Sequence, residues 1–430
     1  MFRRRHVHLV ILLLSVLLTC GPVRAAKIPV THLSYAAHSD SWHEFLRQMK
    51  PKFENLHPNY EVNIVIDAQP DQKFAVLVAA GESPEVVDMS TGQAASFIGN
   101  GDFVDLRPWF ARTNPKALSM YAQPVLNGLT DPSGRLIGYP ASVYPIVTFY
   151  NLDMLHAAGL TPPAELGSGW TWNALAEYGR KLTRDHNSDG VVDQWGIDRI
   201  SARPYIQVAQ AGGFYYDREM LPTASRLTSE PVLQAIEFLE RIVVKDRTSQ
   251  APSTPNRANT YIYMGNAAIA TVDGPGVIGT LYKDAPFSWD ISLQPVGPKS
   301  NASAIFLTFF SISRHAKHPE AAWDWVHFIS GNDEAQQAFA QITGRVPVLP
   351  SVIRRYNTLV DNLPKNWSLF FTQMEQPENI TGYGVVADSR ITSTVNAALN
   401  RIWSGQTPGR VALEQAHREV TALFEEASRR

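Results

Sequence analysis

The most specific group of chemistry-bearing residues in the sequence is an acidic loop at residues 185–193, which reads DHNSDGVVD. Its side-chain oxygen donors are Asp185, Asn187, Asp189 and Asp193. Alternating oxygen donors followed by a glycine are typical of the first half of a calcium loop, where a tight turn directs hard ligands at one cation. The twelfth position holds Gly196 in place of the bidentate glutamate, so a metal-free turn closed by Asx hydrogen bonds is the alternative. We predict that any calcium bound here is structural and that the protein requires no cofactor.

Signatures of catalytic sites are incomplete in this sequence or missing from it. His43 and Glu44 begin like the helix of a zinc protease, but Arg47 stands where a second histidine would bind the metal. The sequence contains neither a Walker-type glycine-rich loop for phosphates nor the GxSxG elbow of serine hydrolases. The 40 acidic residues leave a carboxylate pair, and with it glycoside hydrolysis, open. The sequence favours a protein that is not an enzyme.

Aromatic residues offer a second kind of chemistry, the recognition of sugars. The chain has 10 Trp, 15 Tyr and 19 Phe; aromatic faces stack on the apolar C–H faces of sugar rings, while the hydroxyls need paired donors and acceptors. Most of these side chains should belong to the core. Tyr144, Tyr205 and Tyr383 stand in polar segments near predicted strand ends, so we predict that they contact a ligand.

Alternating strands and helices must position these residues. Residues 30–35, 61–66 and 86–89 read as strands, and residues 42–56 and 74–80 between them read as helices. This alternation predicts an α/β fold with a largely parallel sheet. Further strands are predicted at 267–272, 291–296 and 305–312, and further helices at 152–158, 170–182, 231–244, 319–329, 333–342 and 409–430.

The segment 138–151, GYPASVYPIVTFYN, does not read as an ordinary central strand. Its β-branched and aromatic residues favour extended backbone. Pro140 and Pro145 interrupt it, and proline cannot donate a hydrogen bond to a sheet. We predict that this strand passes from one domain to another beside a ligand.

The N-terminus has the pattern of an export signal. Arg3–Arg5 precede an apolar core of ten residues at 9–18, and small residues lead to cleavage after Ala25. The apolar run is too short to span a bilayer. The alternative is a lipoprotein anchored through Cys20, the sole cysteine, although Thr19 departs from the usual lipoprotein box. The predicted location is periplasmic or extracellular, and the mature chain would need no disulfide.

The composition is that of a globular protein: 430 residues, 44% hydrophobic and 18% charged, which suggests two or three domains. Removal of the signal segment takes away four arginines and leaves the mature chain mildly acidic. An acidic chain disfavours nucleic acid as a partner and electrostatic docking on anionic lipid.

Five segments resemble one family in their order and spacing. They are FENLHPNYEV at 53–62, AAGESPEVVDM at 79–89, the segment from Gly138 to Leu160, MGNAAIATVDGPG at 264–276, and FISGNDEAQQAFAQITGRVPV at 328–348. Together they resemble the extracellular solute-binding proteins of carbohydrate ABC transporters, family 1, to which the maltose-binding protein belongs. The resemblance covers essentially the whole mature chain.

This resemblance implies a two-lobed periplasmic-binding-protein fold of type II, with discontinuous α/β lobes joined by short hinge crossings. Lobe one would comprise residues 27–140 and 276–312, and lobe two residues 141–273 and 313–430. The crossings would lie at 139–144, 273–276 and 311–315.

The resemblance also implies a set of ligand-binding residues in the cleft. They are His38, Ser39, Asp40, Ser90, Gln93, Tyr144, Tyr205, Asp273, Thr308, Arg345 and Tyr383. Three departures from the maltose-binding pattern predict a pocket that need not accept maltodextrins: Gly276 replaces a stacking tryptophan, Tyr144 replaces a carboxylate, and Phe309 stands where glycine is common.

The function that follows is binding of a sugar, oligosaccharide or polyol by a monomer and delivery to ABC permease subunits in the membrane. One alternative is a secreted hydrolase or lyase acting on polysaccharides. Another is a binder of non-sugar solutes such as glycerophosphodiesters, polyamines or peptides. Few basic residues fall in the predicted cleft loops, which weighs against phosphate, and Asp40 with Asp273 gives thin support for a polyamine.

Overall fold

The strands of the chain form two separate sheets. The computed structural model describes residues 26–429 except Ser90, Asn256, Gly382 and Tyr383. Sheet one has the order β10-β4-β9-β3-β1-β2, and sheet two has the order β6-β7-β5-β8. The strands are β1 (Ile28–Tyr35), β2 (Tyr60–Asp67), β3 (Val86–Asp88), β4 (Tyr139–Pro145), β5 (Val147–Asn151), β6 (Trp195–Asp198), β7 (Ala267–Asp273), β8 (Trp289–Ser292), β9 (Ile305–Ile312) and β10 (Val346–Pro347).

Helices cover both sheets. They are α1 (Asp40–Leu56), α2 (Pro70–Ala79), α3 (Thr91–Asn100), α4 (Arg107–Thr113), α5 (Gln123–Gly128), α6 (Leu152–Ala157), α7 (Pro163–Leu166), α8 (Trp172–Leu182), α9 (Tyr205–Gln210), α10 (Glu230–Glu240), α11 (Pro319–Gly331), α12 (Asp333–Thr343), α13 (Pro350–Ile353), α14 (Leu369–Met374), α15 (Ser389–Trp403) and α16 (Gly409–Ser428). In the part of the chain that the structure describes, no helix is long and apolar enough to cross a bilayer. The predicted signal segment and Cys20 lie outside the described residues.

The first three strands of sheet one are parallel, as their alternation with helices predicts, but the predicted largely parallel sheet is wrong, since the other strand pairs of sheet one are antiparallel. β1 runs parallel to β2 from Ile28↔Tyr60 to Tyr35↔Asp67, and it runs parallel to β3 on its other side. Helix α1 buries Trp42, Phe45 and Phe53 against this sheet, because its apolar residues recur at three- and four-residue steps. β9 then pairs antiparallel with both β3 and β4. The mixed α/β architecture with two sheets confirms the predicted two-lobed fold of type II.

We call each sheet, with the helices packed on it, a lobe. Helices α11 and α12 belong to lobe one, since α11 contacts β1, β4 and β9 and α12 contacts α1. Lobe two holds β8, which pairs with β5, and its core is closed by α8, α10, α15 and α16. The predicted boundaries put residues 276–312 in lobe one, and residues 141–273 and 313–430 in lobe two. The structure differs at β8, which lies in sheet two, and at α11, α12, β10 and the part of β4 after residue 140, which belong to lobe one. An apolar pattern marks the face that an element buries but does not say against which sheet.

Three short segments form the hinge, at residues 145–147, 303–305 and 379–381. The Ile146 N–H donates to the carbonyl of Ala304 over 3.0 Å, and Ser303 Oγ donates to the carbonyl of Ile146 over 2.6 Å. The third segment joins them through Ile380, whose N–H donates to Ser303 over 3.0 Å and whose carbonyl accepts from Ile305 over 2.8 Å. The first crossing, predicted at 139–144, therefore lies just after that segment, at the end of the proline-containing strand β4.

The other two crossings lie elsewhere than predicted. Residues 273–276 lead from β7 to β8, both in sheet two, and residues 311–315 lead from β9 to α11, both in lobe one. The Gly-Pro turn at 274–275 ends a strand but does not leave its lobe.

Candidate functional site

A cavity of about 430 Å³ lies between the two lobes. We call it the interlobe cavity. Lobe one lines it with Ser39, Tyr144, Phe306, Thr308 and Arg345, among others, and lobe two with Arg203 and Gly276. Its volume is in the range of sites for small molecules. Because both lobes contribute, a molecule bound here would touch both.

Two neighbouring strands supply the wall of this cavity on the side of lobe one. Ser142 pairs with Thr308 and Tyr144 pairs with Phe306 across β4 and β9. Residues two apart on a strand share a face, so the four side chains point the same way. A wall of alternating hydroxyls and aromatic rings results.

A second cavity of about 610 Å³ adjoins the first. We call it the lateral cavity. It shares Arg203 and Phe306 with the interlobe cavity, so the two cavities meet at these side chains. We call the two cavities together the groove. Aromatic side chains and one more arginine line it: Tyr205, Tyr215, Tyr216, Trp403 and Arg257.

Tyr144 contacts the backbone that follows β7. The Gly274 N–H donates to Tyr144 Oη over 3.3 Å. A Cβ added at Gly276 would lie 2.6 Å from Tyr144 Cε2, so the ring approaches this backbone as closely as glycine permits. Burial raises the pKa of Tyr144 to about 12, and the phenol therefore stays neutral and able to donate a hydrogen bond to a ligand.

Asp88 holds the segment between β1 and α1 in place. Its carboxylate accepts from the Tyr35 N–H at 2.7 Å and from the Trp42 indole at 3.2 Å, and it lies 3.1 Å from His32 Nε2. His38 Nε2 is 3.3 Å from the same carboxylate. Burial opposes ionisation, but the hydrogen bonds with His32 and His38 hold the pKa of Asp88 well below its usual range. The residue positions the loop that carries Ser39.

Arg345 ties the end of α12 to that same loop. Its guanidinium donates to the backbone carbonyl of His38 and lies 5.6 Å from the centre of the Trp42 ring. Burial lowers the pKa of this arginine without bringing it near neutral pH, so it presents a positive charge to the interlobe cavity.

Asp273 forms ion pairs inside lobe two. Arg199 donates through Nη2 to Asp273 over 3.0 Å and through Nε to Asp198 over 2.9 Å. One cation thus serves two buried carboxylates. Burial raises the pKa of Asp198 to about 6 and also raises the pKa of Asp273.

Of the predicted ligand-binding residues, the structure brings Ser39, Tyr144, Thr308 and Arg345 together in the interlobe cavity and puts Tyr205 in the lateral cavity. His38, in the segment between β1 and α1, contacts Asp88. Asp40 is the exposed first residue of α1, and Gln93 on α3 is 3.5 Å from Asp71. Ser90 and Tyr383 lie outside the described residues. Contact between ligand and each of these side chains stays a prediction.

Sequence reasoning missed Phe306, Arg203 and Asp88. Phe306 could have been found, because it precedes the predicted Thr308 by two residues on one strand. Arg203 stands in the same Arg-Pro-Tyr segment as Tyr205, and no pattern marks its direction. Asp88 reads only as a polar residue at a strand end.

The acidic loop at 185–193 is closed by its own hydrogen bonds. Asp185 accepts from the N–H groups of Ser188 and Gly190 at 2.7 and 2.8 Å, and Asp193 accepts from His186 at 2.8 Å. Asn187 and Asp189 accept from the N–H groups two residues ahead. Within the described residues, no three His, Cys, Asp or Glu side chains gather as a metal site would require. Calcium binding by this loop stays a prediction.

Comparison with known proteins places the fold in a large group of binding proteins. The arabinooligosaccharide-binding protein of Bacillus subtilis is 20% identical over 442 residues, which cover 96% of this chain and 97% of the relative. An ABC substrate-binding protein of Listeria monocytogenes, solved with cycloalternan, superposes with a TM-score of 0.73 at 20% identity, covering 93% of this chain and 99% of the other. The sugar-binding protein MalE of Xanthomonas citri superposes with a TM-score of 0.76 at 16% identity, covering 93% and 98%.

The profile of one family covers most of the sequence. It matches residues 38–336, which include the loop after β1, the first two hinge segments, and helix α11. The chain belongs to the bacterial extracellular solute-binding proteins.

Proposed function

We propose that this protein captures a sugar or oligosaccharide between its lobes and delivers it to the membrane subunits of an ABC importer. The observation that carries the proposal is the wall of β4 and β9, where Tyr144 and Phe306 alternate with Ser142 and Thr308. A sugar ring presents apolar C–H faces and a rim of hydroxyls, and this wall offers both kinds of partner.

The length of the groove favours more than one sugar ring. The lateral cavity meets the interlobe cavity at Phe306, and Tyr205 and Trp403 provide further aromatic surface there. One relative is named for binding an arabinooligosaccharide, and a structural neighbour was solved in complex with cycloalternan, which supports this size class for the present protein.

The hinge allows ligand binding to change the arrangement of the two lobes. The three hinge segments are short and joined side by side through their backbones, so the lobes can rotate about them as bodies. A ligand that contacts Tyr144 and Arg345 from one lobe and Arg203 from the other stabilises the closed arrangement over the open one. Equal affinity for both arrangements would shift nothing. Permease subunits would then recognise the closed form.

The proposal also covers turnover, oligomeric state and location. The protein acts without chemical turnover, as a monomer, after export directed by residues 1–25. Membership in an extracellular family supports the exported location.

A melting-temperature screen against arabinooligosaccharides, maltodextrins, cyclic glucans, polyols and free monosaccharides tests this function. A specific ligand should raise the melting temperature in proportion to the logarithm of its excess over Kd. The ligand recovered after denaturing the complex should have unchanged mass and chromatographic mobility. Appearance of shorter products would overturn the proposal in favour of a polysaccharide-acting enzyme.

A further inference from the structure

Three arginines line the groove formed by the two cavities, and its described lining contains neither Asp nor Glu. Arg345 and Arg203 face the interlobe cavity, and Arg203 and Arg257 face the lateral cavity. The sequence predicted few basic residues in the cleft loops. No local pattern around Arg203 or Arg257 indicates that their side chains face the cleft.

Two of these arginines have buried N–H donors without a hydrogen-bond partner. Arg203 lies over the Phe306 ring, with Cζ 4.6 Å from the ring centre, and its buried Nη1 has no hydrogen-bond partner. The buried Nε of Arg257 also lacks one. Native proteins pair the large majority of their buried polar groups, so these two N–H groups are donors available to a ligand in the groove.

The carboxylates nearest to this groove are engaged elsewhere. Asp273 and Asp198 share Arg199, and Asp88 is held by His32 and Trp42. In the described chain, Arg203, Arg257 and Arg345 take part in none of the ion pairs. Asp273, Asp198 and Asp88 thus act on these arginines only from beyond contact distance. The arginine side chains are the charged groups that line the groove, and they disfavour polyamines and other cations.

We propose that the ligand carries an oxyanion and that Arg203 binds it together with Arg345. The planar guanidinium groups suit the bidentate recognition of carboxylate or phosphate. The anionic group belongs either to a uronic acid within an oligosaccharide or to a phosphorylated sugar or polyol. This inference rests on the proposed function and specifies its substrate class, while the Phe306 and Tyr144 rings hold the neutral part.

The test compares the wild type with Arg203→Gln and with Arg112→Gln. The control is matched, because Arg112 also lies over an aromatic ring, with Cζ 4.5 Å from the centre of Trp109, but lines neither cavity. Melting temperatures are measured in potassium phosphate and in potassium chloride of equal ionic strength. Phosphate should stabilise the wild type and Arg112→Gln beyond the effect of chloride. The difference should be smaller in Arg203→Gln, where only the general effect of phosphate on burial remains.

Titration calorimetry then separates the two sources of the anion, with trigalacturonate in one arm and glycerol and glucose phosphates in the other, and with neutral maltotriose and arabinotriose for comparison. Binding in one anionic arm, weakened about tenfold or more by Arg203→Gln, supports the inference. Equal stabilisation by phosphate and chloride overturns it. Binding of the neutral trisaccharides with equal affinity by the wild type and Arg203→Gln also overturns it but leaves the proposed function standing.

Discussion

The N–H of Gly274 donates to the hydroxyl oxygen of Tyr144 over 3.3 Å, and this bond joins the end of β7 in sheet two to β4 in sheet one. The ring that lines the interlobe cavity is thus held by backbone of the opposite lobe. Any change in how the lobes meet must move Tyr144 relative to Gly274, so this contact couples the binding surface to the hinge.

Alanine at the glycines beneath Tyr144 should destabilise the protein in a fixed order. At Gly274 the new Cβ would lie 2.5 Å from Tyr144 Cε1 and 2.6 Å from the Pro145 carbonyl oxygen, whereas at Gly276 the clash is with the Tyr144 ring alone. We expect Gly274→Ala to cost about 1–3 kcal/mol and Gly276→Ala to cost less, read as melting temperatures. Gly279→Ala is the control, because no atom lies within 4 Å of its Cβ. Equal loss in all three variants would contradict this packing.

The ring of Phe306 should contribute to affinity more than to folding. Phe306→Leu keeps an apolar side chain but removes the aromatic face shared by both cavities. Stacking contributes about 0.5–1.5 kcal/mol, so Kd for the ligand found in the screen should rise a few-fold to tenfold in calorimetry. Phe287→Leu, a half-buried phenylalanine outside both cavities, should leave Kd unchanged. Equal Kd values for Phe306→Leu and Phe287→Leu would contradict a role of the Phe306 ring in ligand binding.

Loss of one hydroxyl in the hinge should weaken the whole fold. Ser303 Oγ donates to the Ile146 carbonyl over 2.6 Å in a buried setting. Ser303→Ala leaves that carbonyl without its side-chain donor, and we expect a loss of about 1–3 kcal/mol, measured by denaturant unfolding. Ser404→Ala removes an exposed hydroxyl that donates to Arg401, and its unfolding curve should match that of the wild type.

The sequence predicted the elements better than their partners. β1, β2 and β3 with α1 were readable because strand and helix periods differ and each is buried on one face. The proline-rich β4 correctly indicated a crossing. Thr308 was assigned to the cleft, yet its strand neighbour Phe306 was not.

What could not be read from the sequence depends on contacts distant along the chain. β8 pairs with β5 more than 130 residues earlier by sequence number, as Asn151↔Trp289 shows, and α11 covers a sheet begun at Ile28. The directions of Arg203 and Arg257 follow from packing, which no local spacing encodes. The ion pair between Asp273 and Arg199 likewise joins residues 74 positions apart, which no local pattern encodes.

The ion-pair cluster of lobe two should make stability depend on pH between about 4 and 6. The pKa of Asp198 is raised to about 6 by burial, from an ordinary value of 3.8. The folded state therefore binds this proton more tightly than the unfolded state, so the contribution is complete below about pH 4 and is lost as pH rises through 6. Asp198→Asn should flatten this part of the curve of unfolding free energy against pH.

The comparison is made as a difference from the wild type. Burial lowers the pKa values of His43 and His327, and these groups act equally in both proteins. The exposed Asp284→Asn serves as the control and should follow the wild-type curve. Parallel curves for Asp198→Asn and the wild type would show that folding takes up no proton at Asp198.

Small-angle X-ray scattering during a titration with the bound ligand tests the central claim most directly, namely that two lobes close on an intact solute. The radius of gyration should fall to a plateau as the cavity fills, and it should return to its starting value when the unaltered ligand is removed by dialysis. Saturable binding with no change in the radius of gyration, or a decrease that reverses on its own as the ligand is consumed, would contradict the account.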